Sequence, residues 1–501
     1  VVVDHRGAVV YSGRIDDRYA AISRPRGRVA HQDLGDVLRE ISAGHRLQFS
    51  RTQPVGCLIE RADVDVTSQQ LTFCRDIAPI VFANCMRCHR EGECAPFPLT
   101  RYEEVRDRAA QIASVVEQRI MPPWRARRGF GRFLNERCLN SSDIERITAW
   151  VRNGAPRGNP ADLPPSPHFV AGWQLGKPDF VLTMPEEYEI PADGPDIYRI
   201  FVIPTRLRQD CVASTFEFRP GNSRVVHHSW VYFDTQGQAR RLDAADPGPG
   251  YTNFGGPGFS GASSLGGWSP GGLPRRLPAG LGRQIPAKSD LVLLIHYHPT
   301  GKRERDRSTI GFYFAPPTAR CQAGEIMVAN YDLDIRAGGR QQHVSASHVL
   351  PVNTYLLDVT PHMHQLGRKM EVTALLPDHT VVPLVAIDDW SFYWQDHYVY
   401  REPMWLPAGT KLSVEAWYDN SSDNPQNPHL PPRDVHFGEK GDDEMCICYF
   451  QVTTRSFPEM VMLENDMSLY IGELMEQYRH GMARRRGTIA RPERAGTTLG
   501  N

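Results

Sequence analysis

Between residues 198 and 453 the chain repeats one pattern: short runs of alternating apolar and polar positions, closed by Gly or Pro. The runs are 198–204, 214–218, 225–233, 290–298, 310–314, 353–359, 369–376, 411–418 and 446–453. A period of two marks strands with one buried face, and many such strands predict β-sandwiches. The roughly 290 residues beyond Trp173 suit two sandwiches better than one. Ahead of them, 71–155 reads as mostly helical, with runs near 101–119 and 144–151. Residues 1–56 predict two short strands around a turn and a helix at 32–43. A last helix is expected at 469–478, and 484–501 reads as a solvated tail with a basic patch. The Pro-rich stretch 157–175 reads as a linker, and the Gly/Ser/Pro stretch 246–274 as a long surface or cleft-rimming loop. The expected segments are 1–62, 63–160, 161–320, 321–460 and 461–501.

Composition narrows the function classes. The 57 basic and 58 acidic residues leave a formal charge of −1, with no signature of a nucleic-acid or anionic-membrane partner. No apolar run approaches the ~18 residues of a membrane span. The chain begins Val1-Val2-Val3-Asp4, with neither Met nor leader, and reads as processed or partial. Ten cysteines in 501 residues do not make a disulfide scaffold.

Candidate chemistry starts at Cys85-Met86-Arg87-Cys88-His89. Cys-x-x-Cys-His is the attachment motif of c-type haem, with two thioethers and a proximal His. A thioredoxin-type pair or half a zinc site are the alternatives; no second Cys/His pair accompanies it, and the adjoining His favours haem. Met121, held by Pro122 and Pro123 some 30 residues on, is placed to be the sixth ligand; core packing is its other reading. With Ala95-Pro96-Phe97, Met121–Trp124 and Asn153-Gly154-Ala155-Pro156, this region resembles a small cytochrome c domain of bacterial fusion proteins. That resemblance implies a periplasmic or extracellular protein. Residues 1–56 resemble the last hairpin and final helix of a thioredoxin- or peroxiredoxin-like domain. No Cys-x-x-Cys precedes them, so the segment is expected to be scaffold or remnant, not a thiol reductase.

The β region carries the remaining ligand types. In Pro361-His362-Met363-His364-Gln365-Leu366-Gly367, histidines two apart share one strand face, either as a metal pair or as a solvated strand end. His227 and His228 are adjacent, and joint ligation would need a bulge or strand end. His296-Tyr297-His298 closes an apolar run, and Glu444-Met445-Cys446 opens a late strand. Imidazole suits copper in both oxidation states and thioether favours Cu(I), whereas zinc more often adds carboxylate or thiolate.

In order and spacing, 190–455 resembles the copper type II, ascorbate-dependent monooxygenases, of the peptidylglycine α-hydroxylating and dopamine β-monooxygenase kind. The resemblance implies an oxidoreductase with two tandem jelly-roll-like β-sandwiches and two copper ions. It makes His227, His228 and His296 the ligands of an electron-donating copper, and His362, His364 and Met445 those of an oxygen-activating copper. His298 is not a ligand in that reading, and Tyr449 matches a Tyr four residues after the family's Met. Leu294, Thr360 and Ile447 depart from the peptide-hydroxylating members, which carry Gln, Arg and Asn there, so a glycine-extended peptide is not the expected substrate. Cys446 matches a disulfide cysteine, with Cys321 and Cys448 as candidate partners.

The expected fold is therefore mainly β, preceded by an α-helical cytochrome c-like domain and a partial thioredoxin-like α/β segment. The expected activity is hydroxylation of a C–H bond of a small substrate with O2. Electrons would come from an external donor (ascorbate, a quinol-linked cytochrome or similar) through one covalently bound haem c. The competing readings are a haem/copper electron-transfer or copper-binding protein that oxygenates nothing, and a structural β module with surface histidines. His343, His348, His379, His397, His429 and His436 read as structural or solvated, the pair 429 and 436 as candidate outer partners of the Met445 site.

Overall fold

The computed structural model describes residues 1–3, 9–21, 24–26, 29–45, 47, 50–53 and 71–485, except 92, 94, 135, 171, 254, 255, 260, 261, 270, 271, 273, 317, 318, 320, 393 and 439; the side chains of 20, 21, 24, 25 and 321 also lie outside this set. The expected 62/63 boundary and most of the 484–501 tail fall outside the described residues. The protein is mainly β, with several sheets and about 20% helix. It divides into two compact units: Val1–Arg125, Leu134–Gln322 and Pro425–His429 form the first, and Ala126–Phe133, Ala323–Asn424 and Leu430–Asn501 the second.

The first unit opens with paired strands Val2–Val3 and Val9–Tyr11 and helix α1 (Asp33–Ser42). Helices α2 (Ala78–Asn84), α3 (Ala109–Glu117) and α4 (Ser141–Arg152) follow. The expected run 101–119 is broken in two, with Tyr102–Arg106 a separate turn of helix. Asn140 caps α4 by accepting from Asp143 N at 2.8 Å. Phe73, Ile77, Val81, Val105, Ile112 and Trp150 bury one core among these helices.

Two antiparallel sheets complete this unit. Their strands are β1 (Phe180–Thr183), β2 (Ile197–Pro204), β3 (Cys211–Arg219), β4 (Val226–Asp234), β5 (Ser263–Trp268), β6 (Leu281–Ile285), β7 (Asp290–Tyr297) and β8 (Thr309–Phe314). One sheet runs β2-β7-β4-β5, with Tyr251–Thr252 on its edge, and the other runs β6-β3-β8-β1. Phe201, Val231, Leu293 and Ile295 of the first meet Ala213, Phe218, Ile310 and Phe312 of the second in one core. The opposite face of β2 and β7 is also covered: Ile200, Val202, Val292 and Leu294 pack with Ala239 of helix α5 (Gln238–Ala245). All eight residues of β7 are therefore buried.

β5 corrects the expectation of a loop at 246–274. Its Ser-Ser-Leu-Gly-Gly-Trp sequence shows no alternation, yet it pairs along β4. Gly267 explains the fit, because a Cβ there would lie 2.6 Å from the Trp230 ring.

The second unit holds β9 (Cys321–Ala329) from Ala323 on, β10 (Gln342–Val349), β11 (Thr354–His362), β12 (Gly367–Leu375), β13 (Val381–Ile387), β14 (Tyr398–Leu406), β15 (Lys411–Tyr418) and β16 (Ile447–Thr453). One sheet runs β14-β11-β16-β9 and another β10-β15-β12-β13. Strict alternation on β15 buries Leu412, Val414, Ala416 and Tyr418. Helix α6 (Phe457–Arg485) is far longer than the expected 469–478. Its buried Met460, Leu463, Met467 and Leu474 recur at helical spacing, with charges between them hiding the stripe.

Candidate metal centres

The first centre grows from the register of β4 against β7. His228 lies opposite His296 and Val226 opposite Tyr297, so the ladder skips His227. That irregularity supplies the bulge that adjacent histidines need to face one point. The Nδ1 atoms of His227, His228 and His296 stand 3.2 Å apart in all three pairs. An equilateral triangle of that edge places each nitrogen about 1.8 Å from its centre, so an ion slightly off the plane reaches the ~2.0 Å of a metal–imidazole bond. Among the described residues this is the only group of three or more His, Cys, Asp or Glu side chains with such spacing.

Asp196, which the sequence reading did not single out, fixes the chemistry of this triangle. Its Oδ2 lies 2.8 Å from His296 Nε2 and its Oδ1 lies 2.7 Å from His298 Nδ1. A carboxylate accepts, so Nε2 of His296 carries a proton and Nδ1 is the nitrogen left for the centre. Burial works to raise the Asp196 pKa, but the hydrogen bonds from His296 and His298 outweigh it and hold the carboxyl well below its ordinary value. His296 is buried and stacks on Tyr198 at 4.2 Å between ring centroids. His298 is mostly exposed and reaches the centre only through Asp196.

The second centre lies at the end of β11. His362 is opposite Ile447 of β16. His364 lies two residues past that pair on one side, and Met445 two residues before it on the other. Glu444 ties them together: its Oε2 accepts from His364 N at 2.8 Å and Met445 N at 3.0 Å. Its Oε1 accepts from Leu366 N at 2.6 Å and Gly367 N at 3.2 Å. The side chain is fully buried, and burial raises its pKa to about 7 against the pull of those four N–H groups. Gly367 completes the turn, since a Cβ there would meet Met363 Cβ at 2.9 Å.

Both imidazoles have Nδ1 engaged, His362 with Gln395 Oε1 at 2.6 Å and His364 with the Asp443 carbonyl at 3.2 Å. The acceptors set the tautomer that leaves each Nε2 with its lone pair. Burial, followed by the neighbouring His362, pushes the His364 pKa down to about 3, so this ring stays neutral as a ligand must. The two rings lie 5.2 Å apart between centroids and nearly perpendicular. Met445 is buried in a cluster with Ala329, Ile447 and Leu474, and Tyr449 packs against it. Gln395, Asp443 and Glu444 gave no readable signal of these roles, although Glu444 directly precedes Met445.

The haem-type motif occupies the end of α2. Cys88 N and His89 N both donate to the Cys85 carbonyl, at 3.2 and 3.0 Å, which folds the three residues into one turn. Neither Cys85 nor Cys88 is in a disulfide, and burial raises the Cys85 pKa to about 12. His89 Nδ1 lies 3.0 Å from the Phe97 carbonyl, leaving Nε2 as the outward lone pair. Two thiols outside any disulfide, beside an oriented imidazole, are the donor types that covalent haem would use. Met121 is exposed at 36%, so core packing does not explain it.

The other singled-out residues have local partners. His343 pairs with Glu415, His348 with Asp466 on α6, and Thr360 Oγ1 lies 2.8 Å from His397 Nδ1. His436 touches the second centre through its carbonyl, which accepts from Glu444 N at 3.1 Å. His429 belongs to the first unit. Leu294 is buried in the apolar cluster beneath α5. Cys446 and Cys448 are buried free thiols, not bonded to each other, and the Cys321 side chain lies outside the described residues.

No family model and no curated protein matches the chain. Among solved structures, PNGF-II is 7% identical over 55% of this chain and 65% of its own, just under two thirds of its length, with a TM-score of 0.23. The infectious bursal disease virus VP2 subviral particle is 10% identical over 56% of this chain and 74% of its own, with a TM-score of 0.17. Overlaps this slight leave function to be read from the chain's own residues.

Proposed function

We propose that this chain is a copper-dependent monooxygenase of the copper type II, ascorbate-dependent kind, hydroxylating a C–H bond of a small substrate with electrons drawn through a c-type haem. In this reading 161–320 and 321–460 are tandem jelly-roll-like sandwiches, 63–160 is a cytochrome c-like domain and 1–62 a partial thioredoxin-like segment. A helix and tail follow at 461–501, and the protein works in a bacterial periplasm or outside the cell. The observation that carries the reading is the triangle of Nδ1 atoms at 3.2 Å, with its lone pair at His296 fixed by Asp196.

Bound copper would supply O2 reduction and C–H hydroxylation, and covalent haem would supply one-electron transfer. The protein's part is to hold ligands. His227, His228 and His296 offer three neutral nitrogens from one sheet, a set that serves both copper oxidation states. His362, His364 and Met445 would hold the second ion, with the thioether favouring the reduced one. Glu444 keeps the 364–367 turn closed, and Gln395 orients His362. Cys85 and Cys88 would carry the haem, His89 would ligate it, and Met121 would be the second axial ligand. A donor on the same chain acts at high effective concentration.

The test is metal and haem analysis of the purified protein, followed by 18O2 incubation with candidate substrates. About two copper and one haem per chain, with labelled product, are expected. Copper and haem without any oxygenated product would instead support the second reading, an electron-transfer protein. Thr360 and Ile447 bear only on the substrate: neither offers the charged or amide group that would clamp a carboxylate, which speaks against a glycine-extended peptide.

A further inference from the structure

The far end of the strands that carry the first centre holds a different kind of site. A cavity of about 380 Å³ is lined by Pro204, Arg206, Leu207, Arg208, Arg240, Lys288 and Ser289. It lies between the turn after β2 and the turn before β7, six strand residues and so about 20 Å from His296. The turns are laced together: Thr205 N and Oγ1 both donate to the Ser289 carbonyl, at 3.1 and 2.7 Å, and Lys288 N donates to the Leu207 carbonyl at 3.0 Å.

Four of the seven lining residues are cationic, on a chain whose formal charge is −1. Arg240 is neutralised by a two-pronged pairing with buried Asp290, at 2.5 and 2.7 Å. Arg206, Arg208 and Lys288 have no ion-pair partner among the described residues. Asp210, two residues after Arg208, accepts from Ala287 N and Gln284 Nε2.

Backbone strain is a second, independent observation. Arg206 has φ +56° and Lys288 φ +55°, the left-handed region that glycine occupies freely and long side chains avoid. Both are exposed basic residues that line this cavity, one from each turn, and both hold a conformation that long side chains avoid. Such strain gathers where a side chain must be presented at a fixed place.

We infer that this cavity is a binding site for a small oxyanion of two or more negative charges, a phosphate ester or a polycarboxylate. The forks of Arg206 and Arg208 match its oxygens, Lys288 adds a point charge, and Pro204 and Leu207 form an apolar wall. The site is separate from both metal centres, so it stands or falls independently of the proposed activity.

The test is calorimetric titration of the whole protein with inorganic pyrophosphate and with citrate, at constant ionic strength, against sodium chloride. The informative variant is Arg206→Gly with Lys288→Gly, which removes two charges while relieving the strain. Wild type should bind one anion saturably, and the variant should melt at the same or higher temperature yet bind at least tenfold more weakly. Tighter binding of pyrophosphate would assign the phosphate class, and tighter binding of citrate the polycarboxylate class. Non-saturable heats matched by chloride, or full binding by the stable double-glycine variant, would overturn the site.

Discussion

The two imidazole centres are built on different principles. In the first, three ring nitrogens already converge, because a ladder irregularity re-aims His227 beside a strand, β7, that is buried on both faces. In the second, one ring closes a strand and the other lies two residues past it, and the turn is closed by one buried carboxylate gathering four backbone N–H groups. Rigid strands define the one, and a single side chain the other. Damage should therefore spread differently from each.

The contrast can be broken most severely at His296. On the proposed reading, His296→Ala removes a ligand from the triangle, so copper should fall from two to one per chain by elemental analysis. Turnover should fall by about 100-fold or more. At the second centre the largest effect should come from Glu444→Gln. The amide NH2 would face two N–H donors in place of an acceptor oxygen, and two unsatisfied buried donors cost about 2–6 kcal/mol. Urea denaturation should register that loss, while copper affinity at the three-His centre stays at wild type. A fall in that affinity would mean that the two centres are not independent.

Asp196→Asn should act locally and more mildly. The amide oxygen can still accept from His296 but the negative charge is gone, so on the proposed reading copper affinity should weaken, by about 10-fold at most, and by about 10- to 100-fold in Asp196→Ala, where the acceptor that sets the tautomer is lost. Asp196→Glu should recover part of it, and equilibrium dialysis against a competing chelator reads both. Met445→Leu is the mildest for the fold, since similar volume in an apolar cluster costs under about 1.5 kcal/mol. Turnover should nevertheless be lost if the thioether is a ligand; retained turnover would leave Met445 a packing residue.

The pH dependence of the metal-free chain sharpens the same comparison. His364, pushed down to about 3, binds its proton near 6.5 only when unfolded, so its contribution to stability fades as pH falls from 6.5 toward 3. Glu444, raised to about 7, has the opposite sign: its folded form binds more protons between 4.5 and 7, and its contribution shrinks as pH rises through that window. The two should offset between pH 4.5 and 6.5 and leave a net loss below 4.5. In Glu444→Gln the offset is gone, and stability should slope across 4.5–6.5, measured by denaturant midpoints.

What could be read from the chain was what is local in it. Alternation located the strands, and adjacent His227 and His228 demanded an irregularity that the register supplies. The Cys-x-x-Cys-His turn was equally visible. The residues that orient ligands were not, because Asp196 is one hundred positions from His296 and Glu444 is eighty from His364. Only folding brings such pairs together, and a carboxylate beside a turn looks like any solvated one. β5 was missed for a different reason, since Gly266 and Gly267 erase alternation where the Trp230 ring needs room.

The double cover on β7 reaches beyond packing. With hydrophobic neighbours on both sides, the amides of Val292–Ile295 should be the slowest in the first unit to trade hydrogen for deuterium. Stripping an ion from the His296 end would then leave that strand's protection unchanged. The socket would wait, already shaped, for the next ion.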